Sequence, residues 1–240
     1  MPHGSAPRYR VRRAAGAADM SAALALRAER FRGGAAPDGD RFDARCVHVL
    51  IEDGDGLAAT FRALPLEGGA GIAASYSAQH YDLAALGAYG APAVELGRFC
   101  VRAGAPDADL LRLAWGALGR IVEGRGAGLI FGCSSFDGTD PGVHAEAFAL
   151  LAARHLAPRR WAPARRAAEW LRLPVRAVDP RAAMRGMPPL LRSYLGLGGW
   201  VSDHAVVDRD LGRMHVFTAL EVAAIPARRL RALRSLAAAA

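Results

Sequence analysis

Tyr9 and Val11 alternate with Arg8, Arg10 and Arg12 near the start of the chain, a pattern that predicts a half-exposed strand over 8–14. A helix follows through Phe31, capped by Asp19 or Ser21, with Leu24, Ala25, Ala28 and Phe31 near one face. Residues 33–43 form a loop of glycine, proline and aspartate. The apolar run 46–51, the turn Asp53-Gly54-Asp55-Gly56 and the run 57–64 predict an antiparallel hairpin. Val94 to Val101 is a further strand, and Leu110, Leu111, Leu113, Ala114, Leu118 and Ile121 mark a long helix from Pro106-Asp107 to Glu123. The continuous apolar run 129–133 suits a strand covered on both faces. Asp140-Pro141 then predicts a helix start, with the helix running through His155. Residues 158–189, rich in Arg, Trp and Pro, are expected to be irregular. A short helix over 189–197, two strands within 200–225 separated by Gly212, and a basic helix over 226–236 complete the plan. The order is that of a mixed α/β domain over 8–225, between a flexible 1–7 and a basic C-terminal helix over 226–240.

Hydrophobic residues make up 52% and charged residues 22% of the 240, which indicates a soluble globular chain. No apolar run approaches the length of a membrane span, and no apolar run follows the basic N-terminus as in a secretory signal. Cys46, Cys100 and Cys133 are widely spaced, which points to a reducing compartment and away from disulfides or structural zinc. A cytoplasmic protein is expected, with peripheral contact at the inner membrane face. The formal charge of +8 calls for an anionic partner: nucleic acid, anionic lipid or an acidic protein. Aromatics interleave with arginine only weakly, around Trp161 and Trp170, so nucleic acid is not expected.

The strand Val94-Glu95-Leu96-Gly97-Arg98-Phe99-Cys100-Val101 carries the first candidate chemistry. Residues three apart in a regular strand face opposite sides, but a bulge at Gly97 would bring Glu95 and Arg98 to one face. A bulge also releases backbone N–H groups near Cys100 and Val101, which suit a developing oxyanion. A carboxylate beside such donors is what amide formation from a thioester needs. A salt-bridged strand with a packing glycine explains the same residues.

Upstream, Arg27-x-x-x-Phe31, Asp40-x-x-Asp43 and a strand Arg62 precede Glu95-x-x-Arg98. This order resembles the acyl-homoserine lactone synthases, although the tryptophan they carry after the first helix is absent from 33–37. A closer resemblance lies in Glu95-Leu-Gly-Arg-Phe-Cys-Val101, Phe131-Gly-Cys-Ser-Ser-Phe-Asp-Gly138 and Pro189-Leu-Leu-Arg-Ser-Tyr-Leu-Gly-Leu-Gly-Gly-Trp200, continuing through Asp208 and Phe217. These are similar to the bacterial L-ornithine N-alpha-acyltransferases, over about residues 8–235. The resemblance implies a GNAT-like acyl-CoA N-acyltransferase fold, with a mixed, mostly antiparallel central sheet flanked by helices.

It further implies transfer of a 3-hydroxyacyl chain from acyl carrier protein, as its 4'-phosphopantetheine thioester, to the α-amine of L-ornithine. The product is lyso-ornithine lipid, made with no permanently bound cofactor and no metal. Glu95 would take the ammonium proton, and Arg98 would stand beside it. Arg62 or Arg98 would hold the ornithine carboxylate, Asp40 or Asp43 its second ammonium, within a substrate site that includes Arg27 and Phe31. Leu191, Tyr194, Leu195 and Trp200 would offer apolar surface for the acyl chain. The stretch Val101-Arg-Ala-Gly-Ala-Pro-Asp107 lacks a phosphate-cradling glycine loop, and an acid at a helix start opposes a pyrophosphate. That disfavours coenzyme A and suits a carrier protein, for which Arg154, Arg159, Arg160, Arg165 and Arg166 form the densest basic surface. Adjacency argues against a Ser202-Asp203-His204 relay, and His144, His155 and His204 are too scattered for a metal site.

Overall fold

In the computed structural model, which describes residues 8–105 and 108–239, the alternation at the N-terminus becomes strand β1 (Arg10–Arg13), paired antiparallel with β2 (Val47–Asp53). Helix α1 (Ala17–Arg32) lies between them in sequence. Its N-cap is Gly16 rather than Asp19 or Ser21: Asp19 sits inside the first turn, where it accepts from the Ala15 N–H and from Arg12. The Asp-Gly turn closes a hairpin between β2 and β3 (Gly56–Leu66), as expected.

Helix α2 (Gly68–Ile72) and strand β4 (Tyr81–Asp82) fall in 67–92, where the apolar pattern predicts no element. Strand β5 (Ala93–Val101) and helix α3 (Ala108–Gly124) follow the expected bounds closely. Asp107, the acid expected at the start of that helix, lies outside the described residues, as does Pro106. Strand β6 (Leu129–Asp137) precedes α4 (Ala145–Arg154), which starts later than Asp140-Pro141 suggests. The Asp140 carboxylate accepts from the Gly142 N–H at 2.8 Å and closes a turn instead of capping the helix. Residues 158–189 are not wholly irregular: they supply β7 (Ala164–Arg165), β8 (Trp170–Arg172) and α5 (Pro180–Gly186), elements too short to leave a periodic signal. Helix α6 (Pro189–Gly196), the hairpin of β9 (Trp200–Asp208) with β10 (Arg213–Glu221), and α7 (Ala227–Ala239) match the reading.

The chain folds as two compact units, neither contiguous. The first comprises 1–64, 97–123 and 230–240; the second comprises 65–96 and 124–229. Strand β5 supplies both, 93–96 to the second and 97–101 to the first. Strand order is β1-β2-β3-β5 in the first unit and β5-β6-β10-β9-β8 in the second; β1–β2, β2–β3, β6–β10, β10–β9 and β9–β8 pair antiparallel, and β5–β6 pairs parallel. The small β4–β7 pair is antiparallel too.

Two cores follow from the apolar patterns. In the first unit α3 buries Leu110, Ala114, Trp115, Leu118, Ile121 and Val122, a stripe at helical spacing. Val49, Leu50 and Ile51 of β2 and Phe61 of β3 are buried in the same unit. In the second, Phe148 and Leu151 of α4 and Leu191 of α6 pack with Val201 of β9 and Val216 of β10. Each such side chain contributes about 1.5–3 kcal/mol. The β5–β6 ladder covers only Ala93–Glu95 against Leu129–Phe131. At the next position the β6 backbone comes so close to β5 that a Cβ at Gly132 would lie 2.2 Å from the Leu96 carbonyl oxygen.

Candidate functional site

The first unit gathers the upstream arginines and aspartates into one network. Helix α1 sets Arg27 and Phe31 four residues apart, hence on one face. Arg27, 1% exposed, donates from Nε to Asp38 Oδ2 at 2.9 Å and from its two Nη atoms to the Asp43 carboxylate at 2.7 and 3.3 Å, and also to the Asp38 carbonyl. Arg62, from β3, forks onto Asp40 at 2.6 and 2.7 Å and reaches Asp43 at 2.6 Å. Arg98 donates from Nε to Asp38 Oδ2 at 2.9 Å, its Nη2 lies 3.7 Å from Asp40, and its guanidinium carbon sits 5.5 Å from the Phe31 ring centroid. Arg32 adds a bond to Asp38 at 3.3 Å. Six predicted residues thus converge: Arg27, Phe31, Asp40, Asp43, Arg62 and Arg98.

The seventh member, Asp38, was hidden as ordinary turn chemistry in Pro37-Asp38-Gly39-Asp40, yet it is the most buried carboxylate of the set at 1%. Charge counting offered a signal, since three paired arginines against Asp40 and Asp43 leave a buried cation to balance.

Asp43 accepts from Arg27, Arg62 and the Asp40 N–H, so its four lone-pair sites are taken. Arg27 is likewise enclosed between Asp38 and Asp43. Burial pushes the Asp40 and Asp43 carboxyls up, but the Arg62 bonds on Asp40, and Arg27, the Asp40 N–H and Arg62 on Asp43, outweigh it. Both are held below the usual carboxylate range. His48, whose Nε2 donates to the Asp43 carbonyl at 3.0 Å, is pushed down by burial, aided by the charges of Arg27 and Arg62.

The backbone irregularity expected at Gly97 falls on Arg98, which takes the left-handed conformation at φ 54°. Gly97 itself is not at positive φ, and a Cβ there would lie 3.5 Å from Arg62 Nε, an ordinary van der Waals contact. Cys100 is buried and Val101 half-buried at the end of β5.

The second unit holds Glu95, 4% exposed. Its Oε2 accepts from the Tyr76 N–H at 2.8 Å, and its Oε1 from the Ser77 N–H at 2.7 Å and the Ser77 hydroxyl at 2.6 Å. Ser77 Oγ is also 3.4 Å from Cys133 Sγ, so that cysteine contacts a polar group as well as the apolar strand. Tyr76 and Ser77 lie in the segment whose pattern predicts no element. Tyr194 is buried, and burial together with the negative charge of Glu95 pushes its phenol well up. Leu191 is closed core, Leu195 packs at its edge, and Trp200 lies 5.9 Å from the Phe217 ring. The buried Trp200 Nε1 has no hydrogen-bond partner among the described residues. Asp203 does bond its neighbour, accepting from His204 Nδ1 at 2.7 Å, but the Ser202 hydroxyl is spent on the His204 carbonyl, so no relay forms.

Comparison with known proteins supplies the family. Residues 23–116 match the model of the acetyltransferase (GNAT) domain. The chain is 33% identical over 236 residues to the L-ornithine N(alpha)-acyltransferase of Rhodobacter capsulatus, covering 90% of this chain and 91% of that one. It is 30% identical over 243 residues to the protein of the same name from Rhizobium meliloti, covering 92% and 82% respectively. Among solved structures, FeeM, an N-acyl amino acid synthase from uncultured soil microbes, aligns with a TM-score of 0.54 at 12% identity over 91% of this chain and 94% of that one, a likeness of fold. The chain is an acyltransferase built on the GNAT domain, and it belongs to the L-ornithine N(alpha)-acyltransferase family.

Proposed function

We propose that the protein transfers a 3-hydroxyacyl chain from acyl carrier protein to the α-amine of L-ornithine, giving lyso-ornithine lipid. The observation that carries this reading is the near full-length likeness to relatives named for ornithine acylation. The first unit's network suits an acceptor that bears both charges. Asp40 is less buried than Asp38 or Asp43 and takes the second ammonium. Arg62 is clamped on Asp40 and Asp43, which leaves Arg98, held at 2.9 Å through Nε, to take the carboxylate. Phe31 lies against that guanidinium and limits its swing.

Amide formation needs the neutral amine. Glu95 accepts the ammonium proton, directly or through water; the nitrogen attacks the thioester carbonyl and the C–S bond breaks. The thiolate leaves and is protonated as the thiol. Backbone N–H groups of Cys100 and Val101, just past the left-handed Arg98, are the donors assigned to the oxyanion. Tyr194, close enough to Glu95 to feel its charge, and Trp200 line the acyl chain's path with Leu195, while Leu191 closes the core beneath. Arg154, Arg159, Arg160, Arg165 and Arg166 are all exposed and suit an acidic carrier protein. Along α7, Arg228, Arg229 and Arg231 are exposed while Leu230 and Leu233 are half-buried, a distribution compatible with contact at an anionic membrane. Among the described residues no helix is long and apolar enough to cross one.

Incubation of purified protein with L-ornithine and 3-hydroxyacyl carrier protein, read by mass spectrometry, tests the reading. The expected product is Nα-acylornithine with free carrier thiol. Parallel reactions with 3-hydroxyacyl coenzyme A and with S-adenosylmethionine as acceptor should give far less. Preferential use of either overturns the donor or the acceptor assignment.

A further inference from the structure

The hairpin of β9 and β10 has two unlike faces. Met214 and Val216 point into the apolar core, so His215 and Phe217, alternating with them, point to the other side. On that side Tyr81 packs against His204, His215 and Phe217, with ring centroids 5.2, 5.6 and 5.7 Å away. His80, adjacent to Tyr81, places its ring 4.9 Å from that of His215 at 78°. Asp208 ends β9, where one carboxylate oxygen accepts from the Leu211 N–H at 3.0 Å. One ligand atom each from His80, Asp208 and His215 lies within 4.8 Å of the others.

Hydrogen bonding fixes which nitrogen His215 presents. The Tyr81 hydroxyl has one proton and donates it to the His215 carbonyl at 2.8 Å. Its contact with His215 Nδ1 at 3.1 Å therefore runs the other way, Nδ1–H donating to the phenol oxygen. The imidazole is thus the Nδ1–H tautomer, which leaves the lone pair on Nε2. An orienting bond of this kind on the far nitrogen is what metal-binding histidines carry. The nearby cation Arg213 engages Asp137 at 3.2 Å.

From this geometry we propose that His80, Asp208 and His215 bind a divalent first-row transition ion, zinc in the first instance. Two imidazoles and a carboxylate suit zinc in chemical type and charge, and three protein ligands leave a fourth position for water. Bonds of about 2.0–2.2 Å set tetrahedral donors roughly 3.5 Å apart. The side chains close by about 1 Å, within reach of small rotations of the half-buried His80 and Asp208. The site was invisible in the sequence because the two histidines lie on elements far apart in the chain.

The test uses full-length, tag-free protein titrated with Co2+, read by visible d–d absorption, and then with Zn2+ in competition. One equivalent should bind. His80→Ala and Asp208→Asn, at half-buried positions, should each weaken binding at least tenfold. Tyr81→Phe, which keeps the ring but removes the tautomer lock, should weaken it by about 10–100-fold. Circular dichroism of each variant confirms folding, so a failure of Tyr81→Phe to fold leaves the other two to decide. No stoichiometric binding, or binding unchanged in His80→Ala and Asp208→Asn, overturns the proposal.

Discussion

Glu95 is both a candidate base and the anchor of the Tyr76-Ser77 turn, and the two roles separate by substitution. Glu95→Gln puts an NH2 where a carboxylate oxygen accepted, so about 1–3 kcal/mol of stability should go with the hydrogen bonds. Loss of a general base lowers turnover by about 10²-fold or more. Ser77→Ala removes one donor and leaves the carboxylate, so it should keep most of the turnover while losing some stability. Equal losses of turnover in both variants would assign Glu95 to scaffolding alone. Asp38→Asn leaves the buried Arg27 short of a counter-charge and should destabilise the fold by about 3–5 kcal/mol in urea titration. An effect under about 1 kcal/mol removes Asp38 from the framework. The same network predicts acid behaviour. The folded Asp40 and Asp43 bind a proton less readily than ordinary aspartates. Their contribution to stability is complete above about pH 3.9 and is lost as pH falls toward the lower folded values. His48, whose proton burial also resists, adds an earlier loss beginning near about pH 6.5. Unfolding free energies should decline in two limbs, and a flat profile between about pH 4 and about pH 3 rejects the assignment for the aspartates.

Short-range rules carry the longer elements and fail for the shorter ones. The β2–β3 hairpin, α3, α6 and the β9–β10 hairpin follow from apolar periodicity and Asp-Gly or glycine turns. β8 and β4, with three and two residues, are too short for a period to register. Their pairing is set by neighbours distant in sequence. The site shows the same limit. The spacing of Arg27, Asp40, Asp43, Arg62 and Arg98 was legible, but which aspartate each arginine would choose depends on burial, and burial selected Asp38. Gly132 expresses a constraint of this longer range. Since a Cβ there would meet the backbone of Leu96, Gly132→Ala must displace one strand and should destabilise by about 1–3 kcal/mol. An unchanged melting temperature would mean that β5 and β6 yield without cost.

At the scale of the molecule, the proposed carrier-protein donor would meet the chain through complementary charge. Arg160 reaches Glu221 at 3.5 Å and Arg165 lies 4.1 Å over Trp170, so part of the basic run is held in place, while Arg159 and Arg166 are exposed beside it. Arg159→Glu with Arg160→Glu should raise KM for acyl carrier protein by about 3- to 10-fold, with KM for ornithine little changed. Added salt should mimic the effect in the parent and do less in the variant. Carrier use equal to the parent's at low salt places docking elsewhere, with Arg102, Arg112 and Arg120 next in line. The interleaving of the two units bears on something else, the exchange of parts between related enzymes. No single crossover in the gene separates them, because any cut takes residues from both or leaves one without a segment. A chimaera meant to carry one relative's arginine–aspartate network would have to graft 1–64 together with 97–123, and its second junction would fall inside β5, between Leu96 and Gly97.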